Sequence, residues 1–184
     1  MAKTSRCKYL FTEGDYAGKS CELKAERGDF CIWHTPNYEC AKSCSNVNEF
    51  IEKRCIDKKT LEGFHFIKAI LDTVKLKKAM LAKANFEKTQ LREAELESAI
   101  LKNASFIHTN LTGSNLEGTN LENANFSHSQ CREVSFKNAN LKNSNFRASM
   151  LHEANFEGAN LENASFENAD MENADLCNAV LNNA

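Results

Sequence analysis

Residues 101–130 read LKNASFIHTNLTGSNLEGTNLENANFSHSQ, and Leu101, Phe106, Leu111, Leu116, Leu121 and Phe126 stand at every fifth position. Extended both ways, this register runs unbroken from Leu61 to Leu181. The 25 positions ending in 1 or 6 hold fifteen Leu, eight Phe, Cys131 and Met171, and none is polar. The 25 positions ending in 4 or 9, from Phe64 to Ala184, hold fifteen Ala, four Ser, three Thr, Val74, Val134 and Phe64. Just before each centre the residue is often Asn or Asp.

Neither regular element uses such a pattern. Five steps of a helix rotate a side chain by about 140° in excess of one turn, which scatters the centres around the cylinder. The Lys/Glu/Leu-rich stretch from Leu76 to Leu101 has helical propensity, yet it keeps the five-residue register. A straight strand fails because five is odd, so consecutive centres would point to opposite faces. The chain must therefore turn a corner in every pentad. Asn and Gly recur two residues after the centre, at Asn103, Gly113, Gly118, Asn123, Asn138, Asn143, Gly158, Asn163 and Asn168. Both tolerate the backbone conformations that corners demand.

A longer period fixes the number of corners per coil. Leu61, Leu81, Leu101, Leu121, Leu141, Leu161 and Leu181 are all Leu, and Phe66, Phe86, Phe106, Phe126, Phe146 and Phe166 are all Phe. Like stacks on like every 20 residues. Four pentads per turn make a solenoid of about six coils, whose stacking buries an interior that no single coil could bury. Each buried Leu or Phe contributes about 1.5–3 kcal/mol before chain entropy is subtracted.

Composition separates residues 1–60 from 61–184. Six of the eight cysteines, the only Trp (Trp33) and the only Pro (Pro36) lie in the first segment. That segment carries 11 Lys+Arg against 9 Asp+Glu, the second 12 against 16. From Ala148 onward there is no Lys or Arg, and Glu153, Glu157, Glu162, Glu167, Asp170, Glu172 and Asp175 make this end acidic. Met1 to Cys7 contains no apolar secretory run, and no window reaches the roughly 18 apolar residues of a membrane span. The expectation is a cytoplasmic protein without membrane contact, in which clustered cysteines are metal ligands or free thiols rather than disulfides.

Cys7, Cys21, Cys31 and His34 have the spacing Cys-x13-Cys-x9-Cys-x2-His, with Gly14, Gly18 and Gly28 between them. Three thiolates and an imidazole suit a closed tetrahedral zinc site, which would supply folding energy to so small a segment. Tyr9, Phe11, Phe30, Ile32 and Trp33 would pack around the metal. Cys40, Cys44 and Cys55 form a second group with no fourth ligand unless His65 supplies it, and free thiols are the simpler reading. Phe50, Ile51 and Cys55 have helical spacing, so a short helix over 46–59 is predicted to lead into the first coil.

On the predicted rod, the residues after the centres alternate in charge down each column. Lys102, Glu122, Lys142 and Glu162 form one column, and Glu117, Lys137 and Glu157 part of another, a pairing worth tenths of a kcal/mol per contact. His108 and His128 should stack on one corner, where a metal could bridge them, although a simple surface pair is the plainer reading. Cys131 takes an interior centre and Cys177 faces outward. Ile70, Met80, Ile100, Ile107, Met150 and Val180 also face outward and suit contact with a partner.

Residues 61–184 resemble the pentapeptide repeat proteins, through the recurring small residue, Asn or Asp, then Leu or Phe. That resemblance implies an all-β fold, a right-handed quadrilateral β-helix, with the handedness coming from the resemblance alone. Residues 7–34 resemble short three-Cys, one-His zinc modules, some of them suspected DNA binders, and the Cys-rich heads of certain microbial repeat proteins. A head charge of +2 is too small for the basic stripe that nucleic-acid binding needs. Some pentapeptide repeat proteins imitate duplex DNA and bind DNA gyrase or topoisomerase IV, so a type II topoisomerase is one partner implied by the resemblance. No set of side chains converges as catalysis requires, and the expectation is a non-enzymatic scaffold that binds a protein. The open register at Leu181 to Ala184 suggests pairing of two copies through the C-terminal coil, or a further coil beyond it.

Overall fold

The structure, a computed structural model, describes residues 60–184. Within them the chain bends at every pentad. The predicted zinc ligands Cys7, Cys21, Cys31 and His34, the second group Cys40, Cys44 and Cys55, and the helix over 46–59 lie outside the described residues.

Twenty parallel bridges join residues 20 apart, and four of them, His65↔Asn85, Ile70↔Gln90, Lys75↔Glu95 and Met80↔Ile100, join the first two coils. One bridge per pentad and four pentads per turn make a four-sided coil. Coil 1 is residues 61–80, coil 2 81–100, coil 3 101–120, coil 4 121–140, coil 5 141–160 and coil 6 161–180. The sequence predicts an all-β chain, but the described residues carry single-residue bridges rather than extended strands. A corner every five residues leaves too little straight chain on each side for more. The Leu76–Leu101 stretch follows the same pattern, so the continuous interior overrides its helical propensity.

Coil 4 shows why the repeat is five residues long. The Leu121 N–H donates to the Asn140 carbonyl at 2.7 Å, the Asn123 N–H to Lys142 at 2.9 Å, and the Asn125 N–H back to Ala104 at 3.0 Å. The Ala124 N–H closes the turn on Leu121 at 2.9 Å. One amide, that of Glu122, remains, and the side chain of Asn120 accepts it at 3.2 Å. Asn before the centre is therefore a structural part, since it satisfies the amide that the turn leaves over. Asn85, Asn110, Asn115, Asn125, Asn155 and Asp175 do the same, at 2.8–3.1 Å.

The corner residue, two after the centre, has positive φ in all 25 pentads from Gly63 to Asn183. Four are Gly and nine are Asn, but Lys68, Thr73, Glu93, Ala148 and others adopt the same φ, between +54° and +60°. Positive φ at the third turn residue alone is the requirement of a type II turn. Bulky side chains there cost backbone strain, which the coil contacts on both sides must offset.

Every centre from Leu61 to Leu161 is buried, and nearly all have no exposed surface. The Phe column stacks face to face, with ring centroids 4.9 Å apart for Phe66–Phe86, 5.0 Å for Phe86–Phe106, and 4.7 Å for both Phe106–Phe126 and Phe126–Phe146. Phe136 and Phe156 reach this column edge-on from the opposite side, 5.5 Å from Phe126 and 5.7 Å from Phe146. In coil 4 the small Cys131 centre coincides with the larger Val134 and Phe136, which keeps the interior volume filled. Hydroxyls at the small inner positions bond backbone carbonyls, as Thr109 does to Phe86 and Ser129 to Phe126, both at 2.6 Å.

Candidate interaction surfaces

With the interior filled by its own side chains, any site among the described residues must lie on the outer faces or at an end. The outer faces are built from the residue after each centre, the corner residue and the one before each centre. Of the residues predicted to point outward, Ile70, Ile100, Met150 and Val180 are exposed, Ile70 most of all at 71%. Met80 and Ile107 are half-buried. Met80 and Ile100 are bridged to each other, so they form one apolar step on a single face.

Charge on the rod is partly paired across coils. Lys102 meets Glu122 at 3.2 Å, Lys142 meets Glu162 at 2.8 Å, and Lys137 meets Glu157 at 2.6 Å, as the alternation predicts. Asp72–Arg92 and Arg147–Glu167 add two more pairs of the same 20-residue span. The Arg92 guanidinium holds the Asp72 carboxyl below its ordinary range, chiefly by a side-chain hydrogen bond. All are solvent-facing, so water and salt screen them and each contributes little.

A second outer feature escaped the sequence reading. Asn103, Asn123, Asn143, Asn163 and Asn183 form an amide ladder in which each Nδ2 donates to the Oδ1 one coil below, at 3.1–3.2 Å. The signal was present as five Asn residues at 20-residue spacing. The corner requirement alone accounts for Asn at those positions, which masks the ladder.

His108 and His128 stack as the spacing predicts, with centroids 5.0 Å apart and ring planes 23° from parallel. No group of three or more His, Cys, Asp or Glu side chains is arranged to hold a metal among the described residues. Cys131 is fully buried, and desolvation pushes its thiol up to about 12, so it is inert at neutral pH. Cys177 is exposed, and its neighbour Asp175 raises its thiol by accepting a hydrogen bond and by charge repulsion.

Burial decays towards Ala184. Phe166, Met171 and Leu176 are only partly buried, and Val180 and Leu181 are exposed. By contrast, the centres of coil 1, Leu61, Phe66, Leu71 and Leu76, are withdrawn from solvent.

The family profile of the pentapeptide repeat region matches residues 81–156 and 109–184, which together cover more than half of the chain. The chain belongs to the pentapeptide repeat family. Among solved structures, HetL, a pentapeptide repeat protein involved in heterocyst differentiation regulation from the cyanobacterium Nostoc sp. strain PCC 7120, is 24% identical over 63% of this chain and 59% of its own, with a TM-score of 0.36. The chain thus spans less than two thirds of HetL. A pentapeptide repeat protein from the cyanobacterium Cyanothece 51142 is 26% identical over 63% of this chain and 90% of its own, with a TM-score of 0.40. QnrB1, a plasmid-mediated fluoroquinolone resistance protein, is 18% identical over 68% of this chain and 69% of its own, with a TM-score of 0.32. No curated protein matches the chain. As a pentapeptide repeat protein it carries the four-sided coil seen here, and the right-handed winding is that of the family.

Proposed function

We propose that this pentapeptide repeat protein is a non-enzymatic scaffold: a rigid rod whose outer faces bind another protein, joined to a zinc-stabilised head. The observation that carries the reading is the contrast between an interior closed by fully buried Leu and Phe and flat outer faces bearing Ile100 and Met150 in the open. A filled rod has no cleft in which catalytic groups could converge, whereas its regular faces hold side chains at fixed spacing, as recognition requires.

In the head, Cys7, Cys21, Cys31 and His34 would hold one structural zinc ion, and Cys40, Cys44 and Cys55 would remain thiols. The protein would work in the cytoplasm, where those thiols stay reduced. Two copies would pair through the C-terminal coil.

One purified sample tests both parts. Elemental analysis of the full chain should give one zinc per chain, lost in Cys31→Ser. Immobilised protein should retain a specific partner that Ile100→Asp or Met150→Asp releases while circular dichroism stays unchanged. Failure of every face substitution to alter what is retained would sink the scaffold reading.

Imitation of DNA towards a type II topoisomerase is the alternative, favoured by the acid-only stretch after Arg147. Cross-coil ion pairs hold three of those acids, Glu157, Glu162 and Glu167, against Lys137, Lys142 and Arg147, which weighs against it. A DNA gyrase supercoiling assay unaffected by excess protein removes that alternative.

A further inference from the structure

We propose that His108 and His128 form a two-imidazole site for a divalent first-row transition-metal cation, clipping coil 3 to coil 4. The two residues occupy equivalent corners of successive coils, at φ +56° and +59°. Their amides are fixed by hydrogen bonds to Ser127 and Arg147, at 3.2 and 2.9 Å, so neither backbone can drift. The rings lie side by side with centroids 5.0 Å apart, and both residues are exposed.

Among the described residues nothing competes for the ring nitrogens. Neither imidazole makes a hydrogen bond or an ion pair within the described residues. The next corner below is Lys88, whose ammonium is already held by Glu87 at 2.8 Å. The next corner above is Ala148, whose methyl group leaves that side of the pair open.

The donor chemistry selects the ligand class. Neutral imidazole nitrogens are borderline donors that suit Zn²⁺, Ni²⁺ and above all Cu²⁺, and they do not suit Mg²⁺ or Ca²⁺. A cation bound at about 2.0–2.1 Å by each nitrogen needs the two donors about 3 Å apart. Side chains one coil apart start about 4.8 Å from each other, so rotating the rings from stacked to converging brings the nitrogens into range. Water would fill the remaining positions, giving an exchangeable site unlike the closed four-ligand site proposed for the head.

Two ligands on adjacent coils also make the cation a cross-link of the folded rod alone, so binding should raise thermal stability. The test is titration of the full-chain protein with Ni²⁺, read by the imidazole NMR signals, by calorimetry and by the melting temperature. The ring signals of His108 and His128 should broaden together, ahead of those of the other three histidines. His108→Asn and His128→Asn should each weaken binding at this site at least tenfold and abolish its share of the thermal shift. Asn already fills nine of the 25 corners, so both variants keep a residue suited to that backbone. The proposal is overturned if the two rings respond no earlier than the other imidazoles, or if either variant keeps the wild-type affinity. Since the wild-type titration decides alone, a variant that failed to fold would not shelter the idea.

Discussion

Replacing Phe126 with Ala removes a ring from the middle of the interior column, where it stacks on Phe106 and Phe146 at 4.7 Å each and meets Phe136 edge-on at 5.5 Å. The residue is fully buried, and the coils above and below are held by three backbone hydrogen bonds per pentad, so the void cannot collapse. Truncating a buried Phe costs about 3–5 kcal/mol, and three aromatic contacts place this one at the upper end. Phe166 offers an internal control. It is only partly buried, with Phe146 at 5.2 Å and Phe156 at 6.0 Å, so Phe166→Ala should cost about 2 kcal/mol. Urea unfolding followed by circular dichroism at fixed protein concentration gives both values. Equal costs, or a Phe126→Ala cost below about 1.5 kcal/mol, would refute a continuous interior column.

Gly158→Ala should destabilise more than Gly113→Ala in the same assay. Both glycines sit at positive φ, a strain of about 1–2 kcal/mol for Ala, and at Gly158 the new Cβ would also have to turn aside the flexible amide end of Asn138, whose Oδ1 lies at 2.5 Å, a small further cost; at Gly113 the nearest atom is 3.6 Å away. Thr73→Gly should stabilise the rod by about 1 kcal/mol, because a β-branched residue at φ +60° is strained, and a lower melting temperature would contradict that. A maleimide at pH 7 should label Cys177 and leave Cys131 untouched until the rod unfolds, as peptide mapping would reveal. Acidification should weaken the Asp72–Arg92 pair: the Asp72 carboxyl is lowered in the folded state, so its contribution is present above the ordinary value of 3.8 and fades below it, seen as a steeper acid limb of stability in wild type than in Asp72→Asn.

The coil was legible because its cause is periodic. Leu121 and Phe126 report the interior by their spacing alone, and the 20-residue recurrence of Leu and Phe counts the corners without any long-range information. Cross-coil ion pairs such as Lys142–Glu162 followed from the same arithmetic. The role of Asn120 did not, because an amide left over by a turn is a property of backbone geometry and leaves no mark in a hydrophobic pattern. Nor did the positive φ of Lys68 or Glu93, where ordinary residues are carried into a strained corner by neighbours that are themselves well placed. The all-β class takes the form of single bridges, in keeping with a corner in every pentad, since pentad length limits straight chain more tightly than residue preference does. The functional reading rests on less, because faces such as those around Ile100 acquire meaning only from what docks there.

The 20-residue coil underlies every other feature, and hydrogen-bond scalar couplings between backbone nitrogen and carbonyl carbon test it directly in solution. They should link Leu101 N with the Asn120 carbonyl, Leu121 N with Asn140 and Leu141 N with Asn160, pairs separated by 2.7–2.8 Å here. Couplings from each amide to the carbonyl four residues earlier, anywhere between Leu76 and Leu101, would contradict the coil and restore the helix that propensity alone suggests.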